Sequence, residues 1–335
     1  MSRFRGKARW FKNGVFVALI KLLQEAVAVG ASDLHCCAGE FPALRISGAV
    51  RVLRDRPVLS NAHMIEGLER LLSSALKAPL AEVHEFDCAI ALGDLGRFRI
   101  HTYQSAGGIA AAIRIIPRDI PRLESLGLPG FVSRIATIEQ GLVLVTGPTG
   151  SGKSTTLAAI IDQINRERAC QIITIEDPIE YQHSSIRSLV RHREVGLHTR
   201  SFGAALRSAL REDPDVILVG ELRDLETIQL TLTAAETGHL ILATLHSSGA
   251  TSSIERFVNA FPSEARSQAR ASLADCLEVV VSQRLMSGME GVLKPDAEIL
   301  IATPAVRALI REGKTHQLPG VIQSSRGVGM KLFGG

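Results

Sequence analysis

Aromatic residues are scarce in this chain: one tryptophan, two tyrosines and eleven phenylalanines make up 4% of 335 residues. A platform that stacks single-stranded bases needs aromatics along its strands, so the scarcity argues against such a binder. A strong charge of one sign is also missing. The formal net charge is +4 and the pI about 8.9, a mild basicity that suits phosphates or an acidic membrane face without requiring DNA. The five cysteines, Cys36, Cys37, Cys88, Cys170 and Cys276, form no C-x-x-C pair and no His-Cys cluster with zinc spacing. They read as reduced thiols of a cytosolic protein. No run reaches the ~18 apolar residues of a membrane span. Arg3, Arg5, Lys7, Arg9 and Lys12 precede the apolar run Val15–Ile20 as in a signal peptide, but Lys21, Gln24 and Glu25 interrupt it. The basic head, with Trp10 and Phe11, is either a solvated tail or a contact for an anionic membrane surface. Internal repeats and low-complexity tracts are absent as well.

What is present is a folded chain in two styles. Hydrophobic residues make up 46% and charged residues 21%, and the length exceeds what one core usually serves. Residues Val15–Val29 read as a helix ended by Gly30. Ala43–Ile46 and Ala49–Leu53 flank a Ser47-Gly48 hairpin turn, and Asn61–Leu76 has helical spacing. Phe86–Leu92, Arg97–Tyr103 and Ile109–Ile116 read as strands, which makes this half a small α+β domain. Pro117, Pro121, Pro129, Gly127 and Gly130 then mark a linker. Beyond it, continuous apolar runs alternate with helical patterns: Leu142–Thr146, Ile172–Ile175, Val216–Val219, Leu240–Leu245 and Glu298–Ala302. Strands without polar alternation are buried on both faces, so a parallel sheet covered by helices is expected. The expected division is a basic tail 1–13, an α+β domain 14–117, a linker 118–130 and an α/β domain 131–335.

The chemistry concentrates in that last part. Gly147-Pro148-Thr149-Gly150-Ser151-Gly152-Lys153-Ser154 fits G-x-x-x-x-G-K-[ST] between an apolar strand and a helix starting near Thr155. Its glycines let backbone N–H groups curl around phosphates at a helix N-terminus. Lys153 is placed to reach the β- and γ-phosphates, and the Ser154 hydroxyl to ligate Mg²⁺. Ile172–Ile175 runs into Glu176, Asp177 and Glu180 at the ligand-binding edge of a parallel sheet. These carboxylates either orient water or hold Mg²⁺ through water, or form a solvated loop stopped by Pro178. Val216–Val219 runs into Gly220-Glu221, where Gly220 stands in place of a common Mg²⁺-binding Asp. Glu221 is left as the general base for an attacking water, and Asp224 as the cap of the next helix. His239 and His246 bracket the strand Leu240–Leu245. His246 falls on the phosphate edge, in reach of a γ-phosphate; His239 is at the other end, structural or acting across a subunit boundary. Arg97 and Arg99 alternate on one strand face, with Arg114 on a neighbouring strand, either as a charged solvent face or as cations for a transferring phosphoryl group.

Taken in order, GPTGSGKSTT at Gly147–Thr156, ITIEDPIE at Ile173–Glu180, LREDPDVILVGELRDLET at Leu210–Thr227 and AAETGHLILATLH at Ala234–His246 resemble one family. They look like the Walker A, Asp box, Walker B and His box of the type IV pilus and type II secretion superfamily of ATPases. ASDLH at Ala31–His35 and GRFRIHTY at Gly96–Tyr103 resemble the same family's small domain. Ala305–Glu312 resembles the AIRNLIRE signature of the pilus-retraction, PilT-like branch, and a four-cysteine zinc insert of the extension and secretion ATPases is absent. The resemblance implies a RecA-like P-loop core with a mainly parallel sheet and a small N-terminal PAS-like α+β domain. It also implies a cytoplasmic homohexamer that binds ATP and Mg²⁺ at the phosphate-binding loop, Gly147 through Thr155, and sits peripherally at the inner-membrane pilus base against a platform protein. Neither nucleic acid nor a direct membrane span is expected. Arginines lent by a neighbouring small domain map onto Arg97, Arg99 and Arg114, although Gln104–Gly107 offers no further arginine where relatives often carry one. The chain ends at Gly335, where relatives tend to continue with more helix. Retraction is the expected function; assembly or secretion by the same chemistry, and a nucleotide-binding scaffold with little turnover, are the alternatives.

Overall fold

The computed structural model describes residues 15–73, 76, 78–116, 119–287 and 293–334, so the basic head falls outside the described residues. Its contacts divide into two units, one ending at Asp119 and the other running from Ile120.

In the first unit, helix α1 (Val15–Ala28) ends where Gly30 turns to φ +66°, a conformation that glycine adopts without strain. Strands β1 (Asp33–Cys37), β2 (Ala43–Ile46) and β3 (Ala49–Val52) follow, with Ser47 and Gly48 at φ +48° and +84° in the hairpin turn. Two consecutive positive φ values match strand twist in a two-residue loop. Helix α2 (Asn61–Leu71) is capped by the Ser60 hydroxyl, which accepts from the His63 N–H at 3.3 Å. It stops before the expected Leu76, because Leu72 already leaves helical geometry. Strands β4 (Glu85–Ala91), β5 (Arg97–Ser105) and β6 (Gly108–Ile116) complete an antiparallel sheet in the order β3-β2-β1-β6-β5-β4. On β5, Phe98, Ile100 and Thr102 are buried while Arg97, Arg99 and His101 are half-buried. The apolar face carries Leu34, Phe98, Ile100 and Ile113, covered by Leu19, Leu22 and Leu23 of α1 and Met64 and Leu68 of α2.

The second unit follows a different pattern. Strands β7 (Gly141–Thr146), β8 (Gln171–Glu176), β9 (Leu189–Glu194), β10 (Val216–Val219), β11 (Leu240–Leu245), β12 (Leu277–Ser287) and β13 (Leu293–Ile301) form one sheet, ordered β13-β12-β7-β11-β10-β8-β9. All neighbours are parallel except β12 and β13, which form an antiparallel edge hairpin. Strands β7 and β11 are buried at every position. Alternate residues therefore feed two cores. Leu142, Leu144, Ile241 and Ala243 pack toward one side, and Val143, Val145, Leu240 and Leu242 toward the other. Helices α3 (Lys153–Glu167), α4 (Phe202–Ala209), α5 (Leu225–Glu236), α6 (Ala250–Asn259), α7 (Arg266–Cys276), α8 (Pro304–Arg311) and α9 (Leu318–Ser324) belong to this unit. Leu123, within the proline-rich stretch 118–130, is buried against Val132, Ile135 and Ile160, so part of that stretch belongs to this unit's core. No helix among the described residues is long and apolar enough to cross a membrane.

Candidate active site

The strand order sets the site. All the parallel strands end at one edge, and reading across it gives Gln283 on β12, the phosphate-binding loop after β7, His246 after β11, Glu221 after β10, and Glu176 and Asp177 at the end of β8. Residues scattered over more than a hundred positions thus become neighbours, because parallel strands point their C-terminal ends the same way.

The loop is built to hold something against its backbone. Gly147, Gly150 and Gly152 sit at φ +146°, +77° and +90°, where side chains are strained. A Cβ on Gly147 would lie 2.2 Å from the Gln283 carbonyl oxygen and 2.5 Å from Ser151 Oγ. The Ser151 hydroxyl is buried without a protein partner, and helix α3 begins at Lys153 with its N–H groups facing the loop. An orphaned buried hydroxyl, a turn of glycines at positive φ with open space at Gly150 and Gly152, and a helix N-terminus together fit a nucleotide's phosphates. Lys153, only 8% exposed, donates through Nζ to the Gly147 and Pro148 carbonyls, both at 2.9 Å. Burial pulls its ammonium below the ordinary lysine value, while the Glu221 and Glu180 carboxylates act to raise it. Thr155 Oγ1 lies 3.0 Å from the Tyr181 hydroxyl, and Thr156 Oγ1 accepts from Gln283 Nε2 at 2.9 Å, which pins α3 to β12.

Ser154 and Glu176 line one cavity of about 40 Å³, together with Thr174, Tyr181, His183 and Thr244. Leu157, Ala158, Ile161 and Leu218 also line it, so the oxygen donors available there to Mg²⁺ are the Ser154 hydroxyl and the Glu176 carboxylate. Behind Glu176, His192 is held from both ring nitrogens. Its Nε2 accepts from the His183 N–H at 3.0 Å, which leaves Nδ1 to donate to Thr174 Oγ1 at 2.8 Å. Glu176 Oε2 accepts from the Glu180 N–H at 3.4 Å, so these two candidates share one turn. Asp177 points elsewhere, its carboxylate 3.5 Å from Arg223.

Gly220 has a steric reason. A Cβ there would lie 3.1 Å from the Ile175 carbonyl oxygen and 3.3 Å from Glu176 Cα, so an aspartate would force the ends of β10 and β8 to give by a few tenths of an ångström. Thr244 Oγ1 donates to the Gly220 carbonyl at 2.5 Å, and the next residue, Glu221, carries the carboxylate. Glu221 Oε1 is 3.2 Å from His246 Nε2, and Oε2 accepts from Arg223 Nε at 2.7 Å. Asp224 caps α5 as expected, accepting from the Thr227 N–H at 2.8 Å.

The remaining candidates are not among the residues that end these parallel strands. His239 precedes β11 at the opposite end of the sheet, where its Nδ1 is 3.0 Å from the Ala234 carbonyl oxygen. Arg97, Arg99 and Arg114 belong to the first unit. Arg99 and Arg114 face each other directly across β5 and β6. Arg114, 62% exposed, donates to Asp33 at 2.9 Å, and Arg99 lies 3.7 Å from Asp87. Sequence reasoning passed over Gln283, His192, Thr244 and Arg223. Of these, only Arg223 carried a visible signal, as a cation two residues from the proposed base.

Comparison with known proteins places this geometry. The model of the type II/IV secretion system protein family matches residues 12–294. An uncharacterized protein YggR of Escherichia coli strain K12 is 46% identical over 93% of this chain and 95% of its own length. The type IV pilus retractation ATPase PilT of Pseudomonas aeruginosa is 44% identical over 94% of this chain and 91% of its own. The crystal structure of the pilus retraction motor PilT with bound ADP superposes with a TM-score of 0.84 at 43% identity, covering 91% of this chain and 89% of that one. The chain belongs to the type II/IV secretion system protein family and is one of its PilT-like ATPases.

Proposed function

We propose that this ATPase works as a cytoplasmic homohexamer that retracts type IV pili, driving twitching motility from the inner-membrane base of the pilus. The observation that carries the reading is the site edge itself: phosphate loop, His246, Glu221 and Glu176 side by side at the ends of successive strands. It occurs in a chain 44% identical, nearly end to end, to a pilus retractation ATPase.

Mg²⁺·ATP, when bound, supplies the phosphoanhydride and a cation that offsets its charge. The backbone from Gly147 to Thr155, including Pro148 and Thr149, wraps the phosphates. Lys153 would turn from the two carbonyls to a phosphate oxygen, and Ser154 and Glu176 would hold the metal ion. Glu221 takes the proton of the attacking water, Glu180 supports it, and His246 reads whether a γ-phosphate is present. Arg97, Arg99 and Arg114 of a neighbouring subunit neutralise the transition state, and His239 acts across a subunit boundary. The ring passes its motion to a platform protein in the inner membrane.

The test is Glu221→Gln in the native host, with surface pili counted by electron microscopy. Cells crowded with pili that do not retract are expected. A bald cell makes the motor an assembly ATPase, and unchanged pili with normal retraction overturn the pilus role altogether.

A further inference from the structure

We infer that Arg223 is a positioning residue for ATP hydrolysis, holding the Glu221 carboxylate in its working orientation by bridging it to Asp177. The inference rests on the reading of Glu221 as the general base. Both oxygens of Glu221 are taken up by groups of this chain: His246 Nε2 at 3.2 Å from one, and Arg223 Nε at 2.7 Å from the other. The same guanidinium reaches past Glu221, its Nη1 lying 3.5 Å from Asp177 Oδ2. His246 follows β11, Glu221 follows β10 and Asp177 follows β8, so three neighbouring strand ends are joined through one carboxylate and one guanidinium.

The backbone here is already anchored on either side of both residues. The Gly220 N–H donates to the Ile175 carbonyl, the Leu222 N–H to the Thr244 carbonyl, and Asp224 caps α5. What remains to be set is the direction of the Glu221 side chain, and Arg223, two residues on, sets it. The cation also offsets the charge of both carboxylates it reaches, Glu221 and Asp177. A planar fork suits the task, since it can serve two carboxylates at once where an ammonium is a single point charge.

Stability is a poor explanation for the arrangement. The Arg223 side chain is 56% exposed and Asp177 41%, and ion pairs in that setting add little to folding. Placement of a base is far more sensitive, since a misplacement of about 1 Å costs up to ~10²-fold in rate.

The test measures steady-state ATP turnover and ADP affinity of the purified full-length protein for Arg223→Ala, Arg223→Lys, Glu221→Gln and the Arg223→Ala/Glu221→Gln pair. Arg223→Ala is expected to lower kcat ~10- to 100-fold, with KM and ADP affinity changed less than ~3-fold, and Arg223→Lys to recover part of the loss. In the Glu221→Gln background, Arg223→Ala should cost nothing more, because a residue acting through Glu221 has nothing left to position. Full turnover by Arg223→Ala, or a loss that multiplies with that of Glu221→Gln, overturns the positioning role while leaving the base assignment intact. Full turnover by Glu221→Gln alone overturns the base assignment and the positioning role with it. Loss of ADP binding in Arg223→Ala makes the residue structural and overturns the inference as well.

Discussion

The two sheets of this chain put their polar groups in different places. In the first unit's antiparallel sheet, one face is wet, so charged residues occur anywhere along a strand, as Arg97, Arg99 and Arg114 do between buried Phe98, Ile100 and Ile113. In the second unit's parallel sheet, both faces are covered and chemistry is pushed to the strand ends. The difference explains why one set of candidates was easier to interpret than the other. A polar residue ending an apolar run in a parallel sheet has one edge on which to act. A polar residue alternating along an antiparallel strand announces only its face, and Arg114 and Arg99 lie beside Asp33 and Asp87 of their own unit.

Four experiments would break or sharpen this contrast. The largest effect is expected at the parallel edge, where Lys153→Ala should cut ATP turnover at least ~10²-fold without moving the circular dichroism spectrum. A comparable loss of folded signal would mean that the buried lysine serves the core. Next, Phe98→Ala strikes the apolar side of the first sheet and should cost ~3–5 kcal/mol in chemical denaturation, since Phe98 is fully buried. A cost below ~1 kcal/mol would show that the wet face, not the covered one, holds that sheet together.

Third comes pH. Burial, with His192 beside it, holds the His183 imidazole down to about 4 from 6.5, against the opposing pull of Asp162. Between those values the unfolded chain binds the proton and the folded chain does not. The contribution of His183 is therefore fully present above pH ~6.5 and is lost as pH falls toward 4, amounting to ~3 kcal/mol. Urea midpoints measured between pH 7 and 4.5 should fall for the wild type and flatten for His183→Gln; equal slopes would remove the assignment. The smallest effect is that of Asp224→Ala, which removes the cap of α5 and should cost ~1 kcal/mol in thermal unfolding. It would also test whether the strand-end segment carrying Glu221 tolerates a loosened helix start, read as an accompanying drop in kcat.

Much of the site was legible because its signals are local. The phosphate loop needs glycines at positive φ at positions 147, 150 and 152, and the cap of α5 needs an aspartate three residues before Thr227. Strands β7, β8, β10 and β11 announced themselves as apolar runs, and their expected bounds agree with the observed ones to within a residue or two. Strands β9 and β12 did not. The β9 sequence LVRHRE lies on the sheet edge, where polar residues are tolerated, and β12 follows α7 with no turn residue between Cys276 and Leu277 to mark a boundary.

By itself, the chain of residues determined the two-part organisation, the phosphate loop, the carboxylates that end β8 and β10, and the capping of the helix that follows. These depend on backbone freedom, burial pattern and side-chain chemistry within a few positions of one another. Only the tertiary structure decided that Gln283 floors the loop, that His246 stands between it and Glu221, that Gly220 is a point of close strand approach, and that Arg223 ties Glu221 to Asp177. Strand order is the reason. The sheet runs β12-β7-β11-β10-β8, an arrangement set by how helices cover both faces and not by anything written beside each residue.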